Sequence, residues 1–275
     1  MIDTIMKYQN IRKTLLIISM LLFPVTIFYF SPVLIIHAGL QGIINGSLIT
    51  FLLLFLLSVP LGRVFCSHLC PAGGLQECMS GINGKSVGMG RKKLIKQLVW
   101  LIWIVAVIAC YALAGKGLTI DFFFETQNGI SIISPETYIV YYIIILLIFI
   151  LALLIGRRGF CHAVCWMSPF MSGGVRLGQL LHLPQLHIGV REKESCISCR
   201  KCDKVCPMSL PVNEMVINGE IDRSQCIQCG LCITGCPKKY WNAAFRAERI
   251  SAYGKRKKDG LCYSEPVKPR RYDRL

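Results

Sequence analysis

A mainly α-helical chain in two parts is predicted: a four-helix transmembrane bundle made of two hairpin repeats, then a small cysteine-rich module. Three observations predict it. The 275 residues are 53% apolar and only 17% charged, far from the balance of a soluble domain of this length. Four uncharged stretches, residues 15–36, 43–61, 98–113 and 138–155, approach or reach the roughly 20 residues that a helix needs to cross a bilayer. Finally, eight of the 15 cysteines recur in one pattern near the C-terminus.

In the membrane half, the third and fourth stretches are short by count. Residues 94–97 and 156–158 extend them, with Lys96 and the arginines snorkelling to the interface. The first stretch is not a cleaved signal peptide, because its apolar run is too long and no small-x-small cleavage site follows. Orientation follows from lysine and arginine in short loops. The N-terminal arm carries Lys7, Arg12 and Lys13, the connection after the second span Arg63, Lys85, Arg91, Lys92 and Lys93, and the exit from the fourth Arg157 and Arg158. The turn between the first two spans is uncharged, and the connection over 115–137 sets Lys116 against Asp121, Glu125 and Glu136. Both termini are thus predicted in the cytoplasm, with the chain in the inner membrane. The spans hold no charge and no histidine, and His37 sits only at the outer edge, so neither an ion pathway nor a haem-ligating pair is visible.

The C-terminal pattern is Cys196-x2-Cys199-x2-Cys202-x3-Cys206-Pro207, repeated as Cys226-x2-Cys229-x2-Cys232-x3-Cys236-Pro237. This is the bacterial ferredoxin spacing for iron–sulfur ligation, in which the fourth cysteine of each run serves the neighbouring cluster. It predicts two 4Fe-4S clusters, one on Cys196, Cys199, Cys202 and Cys236, the other on Cys226, Cys229, Cys232 and Cys206. Structural zinc prefers two pairs of ligands, and disulfides need an oxidising compartment, so neither explains the repeat. Between the runs, residues 211–222 read as two short strands around an Asn218-Gly219 turn. A module with so little apolar core should owe much of its stability to its clusters.

A second duplication lies in the membrane half. Gly62-Arg63-Val64-Phe65-Cys66-Ser67-His68-Leu69-Cys70-Pro71 aligns with Gly156-Arg157-Arg158-Gly159-Phe160-Cys161-His162-Ala163-Val164-Cys165, and each follows a helical hairpin. On a helix, cysteines at i and i+4 share a face, so Cys66, Cys70, Cys161 and Cys165 are expected to converge at the cytoplasmic mouth of the bundle. The spacing leaves three readings open. The tetrad is redox-active or metal-binding, holding a third cluster or another metal or cycling as dithiols; or it is structural zinc; or the cysteines are small buried hydrophobes. The last suits isolated Cys78, Cys110 and Cys262 better than a repeated motif. His68 and His162, inside the motifs, are candidate ligands or proton acceptors, with Glu77 the next titratable group, and Trp166 and Phe170 are candidates to wall an apolar slot; packing and interfacial anchoring are their alternative roles.

With these motifs in view, the chain resembles the NapH/NosR-type family of membrane ferredoxins over most of its length, through Cys66, Cys70, Pro71, Cys161, Cys165 and the eight ferredoxin cysteines. One departure is that the proline after the second motif is displaced by three residues, to Pro169. The resemblance implies a quinol dehydrogenase subunit that passes electrons between the quinone pool and partner redox proteins, ferredoxin-like or cytochrome. Its alternative is an accessory reductase that delivers electrons for metal insertion, such as copper, or for reactivating a metalloenzyme. The predicted organisation is a transmembrane domain over 1–177, a two-cluster ferredoxin domain over 178–245 and a basic tail over 246–275. That tail holds much of the net charge of +16, read as adhesion to lipid headgroups, docking of an acidic redox partner or simple solvation. Nucleic acid is not an expected partner, because membrane topology already accounts for the basic excess.

Overall fold

The computed structural model describes residues 2–87, 90–115, 118–132, 134–190, 196–218, 221–237 and 241–242. The basic tail, Lys116, Gly219, Cys262 and the side chains of Arg91, Lys92, Lys93 and Lys96 lie outside the described residues.

The chain opens with α1 (Ile2–Leu21), then a short α2 (Phe23–Thr26) and a 3-10 turn (Ile27–Phe30). Pro24 has no N–H to give to the turn before it, and the axis bends by 61° at this break. A second break falls at Ser31, whose hydroxyl accepts from the Leu34 N–H at 3.3 Å and starts α3 (Pro32–Leu40). The apolar run over 15–36 is therefore not one straight rod. After β1 (Ile43–Asn45), Asn45 Oδ1 accepts from the Leu48 N–H at 3.0 Å and caps α4 (Gly46–Leu61). At 16 residues α4 is about 24 Å long, short of the roughly 30 Å hydrocarbon core.

From α4 the chain turns through Gly62 into α5 (Val64–His68) and α6 (Pro71–Met79), and after α7 (Gly90–Ala114), β2 (Thr119–Asp121) and α8 (Pro135–Ile155) it turns through Gly156 into α9 (Gly159–Ala163) and α10 (Met167–Leu180). Gly62 and Gly156 have φ of +66° and +112°, backbone that side chains rarely adopt. Long helix, glycine turn, short helix, second helix: the architecture repeats as the motifs do. Among the described residues, α7 and α8 are long and apolar enough to cross a membrane, and α1 with the bent segment after it makes a third if counted as one span. Leu98, Ile102, Val105 and Ile108 on α7 and Ile139, Ile143 and Leu146 on α8 are exposed, as faces turned to lipid would be. At the end of α4 remote from the cysteines, β1 and β2 pair in parallel and His37 Nδ1 lies 3.7 Å from Glu125.

The C-terminal module contains α11 (Lys201–Val205), α12 (Val212–Ile217) and α13 (Leu231–Thr234), with β3 (Gly189–Val190) antiparallel to β4 (Trp241–Asn242). The hairpin expected over 211–222 is overturned, since the stretch before its turn is the helix α12. Asp203 Oδ1 accepts from the Asn213 N–H at 2.7 Å and satisfies the first turn, a long-range cap that outweighs the local turn signal. One buried apolar cluster joins Cys66 and Met171 of the membrane half to Met208, Leu210, Val216 and Ile227 of the module.

Three arginines counted as cytoplasmic surface charge are in fact buried. Arg12, Arg63 and Arg158 are 0%, 1% and 2% exposed, so Arg158 does not snorkel to the interface; its neighbour Arg157 bonds the Lys204 carbonyl instead. Both terminal nitrogens of Arg12 bond the Glu77 carboxylate, Arg158 Nη2 joins it at 3.1 Å, and Arg158 Nη1 donates to the Cys66 carbonyl at 2.6 Å. Burial pushes the Glu77 carboxyl up, but the Arg12 hydrogen bonds and the Arg158 charge outweigh it and hold it below its ordinary value. Its contribution to stability is therefore complete above the ordinary carboxylate range and is lost as pH falls through the depressed folded value. Glu77→Ala should strand two buried guanidiniums and cost about 3–5 kcal/mol, read as a lower unfolding midpoint of the detergent-solubilised protein; an unchanged midpoint would contradict this.

Candidate metal centres

The two ferredoxin loops have the same backbone shape. Ser198 and Gln228, two places after the first cysteine, are left-handed at φ +50° and +59°, and Arg200 and Gly230, one place after the second, at +54° and +73°. Alternating right- and left-handed residues turn successive N–H groups inward, forming the concavity that binds anions and iron–sulfur groups. Gln228 N–H accordingly donates to Cys226 Sγ at 3.4 Å. Three of these four positions are not glycine, which is why turn chemistry alone did not reveal them.

Cys236 joins Cys196, Cys199 and Cys202 around one cavity, although the chain between them is long. Cys206, Cys229 and Cys232 share the buried core, with Cys226 packed against it. Burial, and secondarily the Cys229 charge, pushes the Cys226 thiol up to about 12. Burial also raises Cys206 to about 11, against N–H donation from the Leu210 backbone. Thiols this reluctant to ionise stay protonated until a metal displaces the proton. Among the described residues, no three His, Cys, Asp or Glu side chains lie close enough to share one metal ion. Four of the eight sulfurs surround one cavity, and the other four gather in or against the shared core. Their number, softness and N–H-lined loops fit iron–sulfur clusters.

The Cys-x3-Cys pairs converge, but not by the expected route. Neither motif is one helix with cysteines on a common face. Cys66 lies in α5 while Cys70 is the extended residue that starts α6, and Cys161 lies in α9 while Cys165 stands beyond its end, before the Trp166 cap of α10. Pro71 ends any continuation of the first helix, since it cannot donate to the turn before it. Cys66, Cys70, Cys161 and Cys165 nevertheless line a single cavity together with Arg63 and Arg158. Met208 and Ile227, which flank the ferredoxin cysteines, close its other side. Burial pushes the Cys70 thiol up to about 12, with the Cys161 and Cys66 charges adding to it. Cys66 Sγ lies 3.4 Å from Met171 Sδ, and Gln76 Nε2 donates to Cys161 Sγ at 3.3 Å.

The remaining candidates divide. His68 is half-buried, with Nε2 3.0 Å from the Tyr8 hydroxyl and Nδ1 2.7 Å from Ser67 Oγ; burial lowers its pKa. His162 is buried on α9. Neither lines the four-thiol cavity. Glu77 is committed to its two arginines. Trp166 donates to the Phe30 carbonyl at 3.1 Å, and Phe170 stands edge-on to Phe51, Trp100 and Trp103, so both are built into the helix packing. Gln76, Tyr8 and the buried arginines were not singled out by the sequence. Only Arg63 and Arg158 carried a signal, at the same place in each copy of the motif.

A family model described as a 4Fe-4S binding domain matches residues 46–94 and 138–179, the two stretches that carry the Cys-x3-Cys pairs, and one described as a 4Fe-4S dicluster domain matches 188–237. The uncharacterized protein MJ0749 of Methanocaldococcus jannaschii is 26% identical over 247 residues, covering 86% of this chain and 88% of its own. The ferredoxin-type protein NapH of Escherichia coli is 21% identical over 67% of this chain and 62% of its own. The methylamine utilization ferredoxin-type protein MauN of Paracoccus denitrificans is 25% identical over 53% and 48%. The chain thus spans less than two thirds of NapH and about half of MauN. No solved structure gives a significant match.

The geometry generates a direct test of the crossed pairing. Cys236→Ala should remove one cluster's complement, about four iron atoms per chain, while leaving the signal that Cys206→Ala abolishes. Iron analysis with EPR on both variants reads this, and loss of the same signal in both would contradict it.

Proposed function

The chain belongs to the NapH-type family of ferredoxin-type electron-transfer proteins, and on that premise we propose that it is a four-span inner-membrane subunit that takes electrons from quinol at its cytoplasmic face and passes them to partner redox proteins. The observation that carries the reading is the four-thiol cavity beyond the ends of α4 and α8, closed by Met208 and Ile227 of the dicluster module. One buried core contains residues of both halves.

Four spans follow if the bent α1 segment and the short α4 each cross with α7 and α8. The basic residues then gather at the end that bears the cysteines, and the β1–β2 pair lies at the other, in keeping with cytoplasmic termini. Two 4Fe-4S clusters on the eight ferredoxin cysteines and a third on the tetrad would supply one-electron chemistry when bound. A quinol gives up two electrons and two protons. Of the two histidines, His68 is the better placed to meet it, being half-exposed and linked through Tyr8 to the Gln228 carbonyl of the second ferredoxin loop. On the far side, Ile197, Cys199, Arg200 and Lys201 are exposed around the cavity of the first cluster, a basic rim suited to the acidic face of a ferredoxin-like or cytochrome partner.

A second reading has its own observation. Met171 Sδ beside Cys66 Sγ, with Met167 and Met208 lining the same cavity, is a soft donor set of the kind that selects Cu(I). It would suit a reductase serving copper insertion.

The two readings separate in one experiment on anaerobic, detergent-solubilised protein. Menaquinol analogues should bleach the iron–sulfur absorbance on a turnover timescale, and His68→Gln should slow this bleaching at least tenfold while leaving dithionite-reduced EPR spectra intact. No bleaching by quinol, with stoichiometric Cu(I) bound and lost on Cys66→Ser, would transfer the assignment to the copper reading.

A further inference from the structure

Each copy of the membrane motif places an arginine three residues before its first cysteine, Arg63 before Cys66 and Arg158 before Cys161. Both side chains are almost wholly buried, and both line the cavity of the four thiols. Their terminal nitrogens are engaged. Arg63 Nη1 donates to the Ser224 carbonyl at 3.1 Å and Nη2 to Ser168 Oγ at 2.7 Å, while Arg158 uses Nη1 on the Cys66 carbonyl and Nη2 on Glu77. The Nε atom is buried in each and has no hydrogen-bond partner. The same orphan donor therefore occurs at equivalent positions of a duplicated motif, on the wall of one cavity.

Charge points the same way. A guanidinium does not deprotonate in a protein, and a buried one needs an anion or full hydrogen bonding. Arg12 and Arg158 share the single carboxylate of Glu77, and Arg63 has no carboxylate at ion-pair distance among the described residues. Neutral dithiols would leave both the charge and the Nε–H groups uncompensated. A cluster held by four thiolates carries negative charge and offers sulfur acceptors.

Resting on the reading of that cavity as an iron–sulfur site, we propose that Arg63 and Arg158 donate their Nε–H groups to sulfur of the cluster held by Cys66, Cys70, Cys161 and Cys165, as a matched pair of positioning residues that raise its reduction potential. Reduction adds an electron to an already anionic group, so N–H donors and fixed positive charge favour the reduced form. Lysine keeps the charge but has no N–H at the Nε position, so it separates the hydrogen bond from the charge.

The test is an anaerobic EPR-monitored redox titration of the full-length protein in detergent, with iron and sulfide measured per chain. The signal belonging to the site is the one lost in Cys66→Ser/Cys161→Ser. In Arg63→Lys/Arg158→Lys its reduction equilibrium should shift toward the oxidised form at least tenfold, about 59 mV for a one-electron couple, while the dicluster signals hold their potentials. An unmoved midpoint at full iron content would overturn the arginine role alone. If the cysteine variant loses no iron, the cluster reading itself fails. A readout that needs no variant guards against poor folding of the lysine protein: pulsed EPR on wild-type protein carrying 15Nε-arginine should show 15N coupling on that signal, and absence of coupling would overturn the proposal.

Discussion

A carboxylate held between buried guanidiniums is the constraint on which the rest of this structure depends. Glu77 on α6 binds Arg12 from α1 and Arg158 from the second cysteine motif, and those arginines in turn hold the Ser67 and Cys66 carbonyls of the first. Four pieces of chain are thus tied at one point. Buried ion pairs are poor sources of net stability because desolvation offsets most of the attraction, but a missing partner is severely penalised, so they tolerate few alternative arrangements. Here that intolerance sets how the two thiol motifs face each other.

Around this point the molecule uses two different sources of order. The long helices turn apolar side chains outward on α7 and α8, and in lipid their association rests on close packing and hydrogen bonds rather than on water exclusion. The cysteine module has short helices and left-handed loop residues that cost conformational energy unless something over-determines them. Bound clusters would do so, and the shared core of Cys66, Met171, Met208 and Ile227 transmits the constraint from one half to the other. Function and folding are coupled for this reason: the groups that would hold metal also join the domains.

The ferredoxin cysteines were legible because their spacing is a short-range covalent regularity, and the duplicated Gly-Arg…Cys-x3-Cys motif was legible because repetition is visible without a structure. The uncharged stretches marked where apolar helices form, and two of them are long helices. Less legible were the breaks. Pro24 and Pro32 interrupt the first stretch, and Asp203 caps a helix over 212–217 where Asn218-Gly219 suggested a hairpin. In each case a backbone donor or acceptor found, or lacked, a partner that the local pattern did not contain.

What the sequence by itself determined is the chemistry available: soft sulfur ligands in cluster-forming runs, a second repeated pair of thiols, and apolar segments to carry them. Only the tertiary structure decided which thiols meet, and that Arg12, Arg63 and Arg158, counted from the sequence among the cytoplasmic charges, are buried, two of them against the cavity of the tetrad. Ligand spacing is a property of neighbouring bonds. The burial of a charge depends on which distant segments surround it, and no local count of residues carries that.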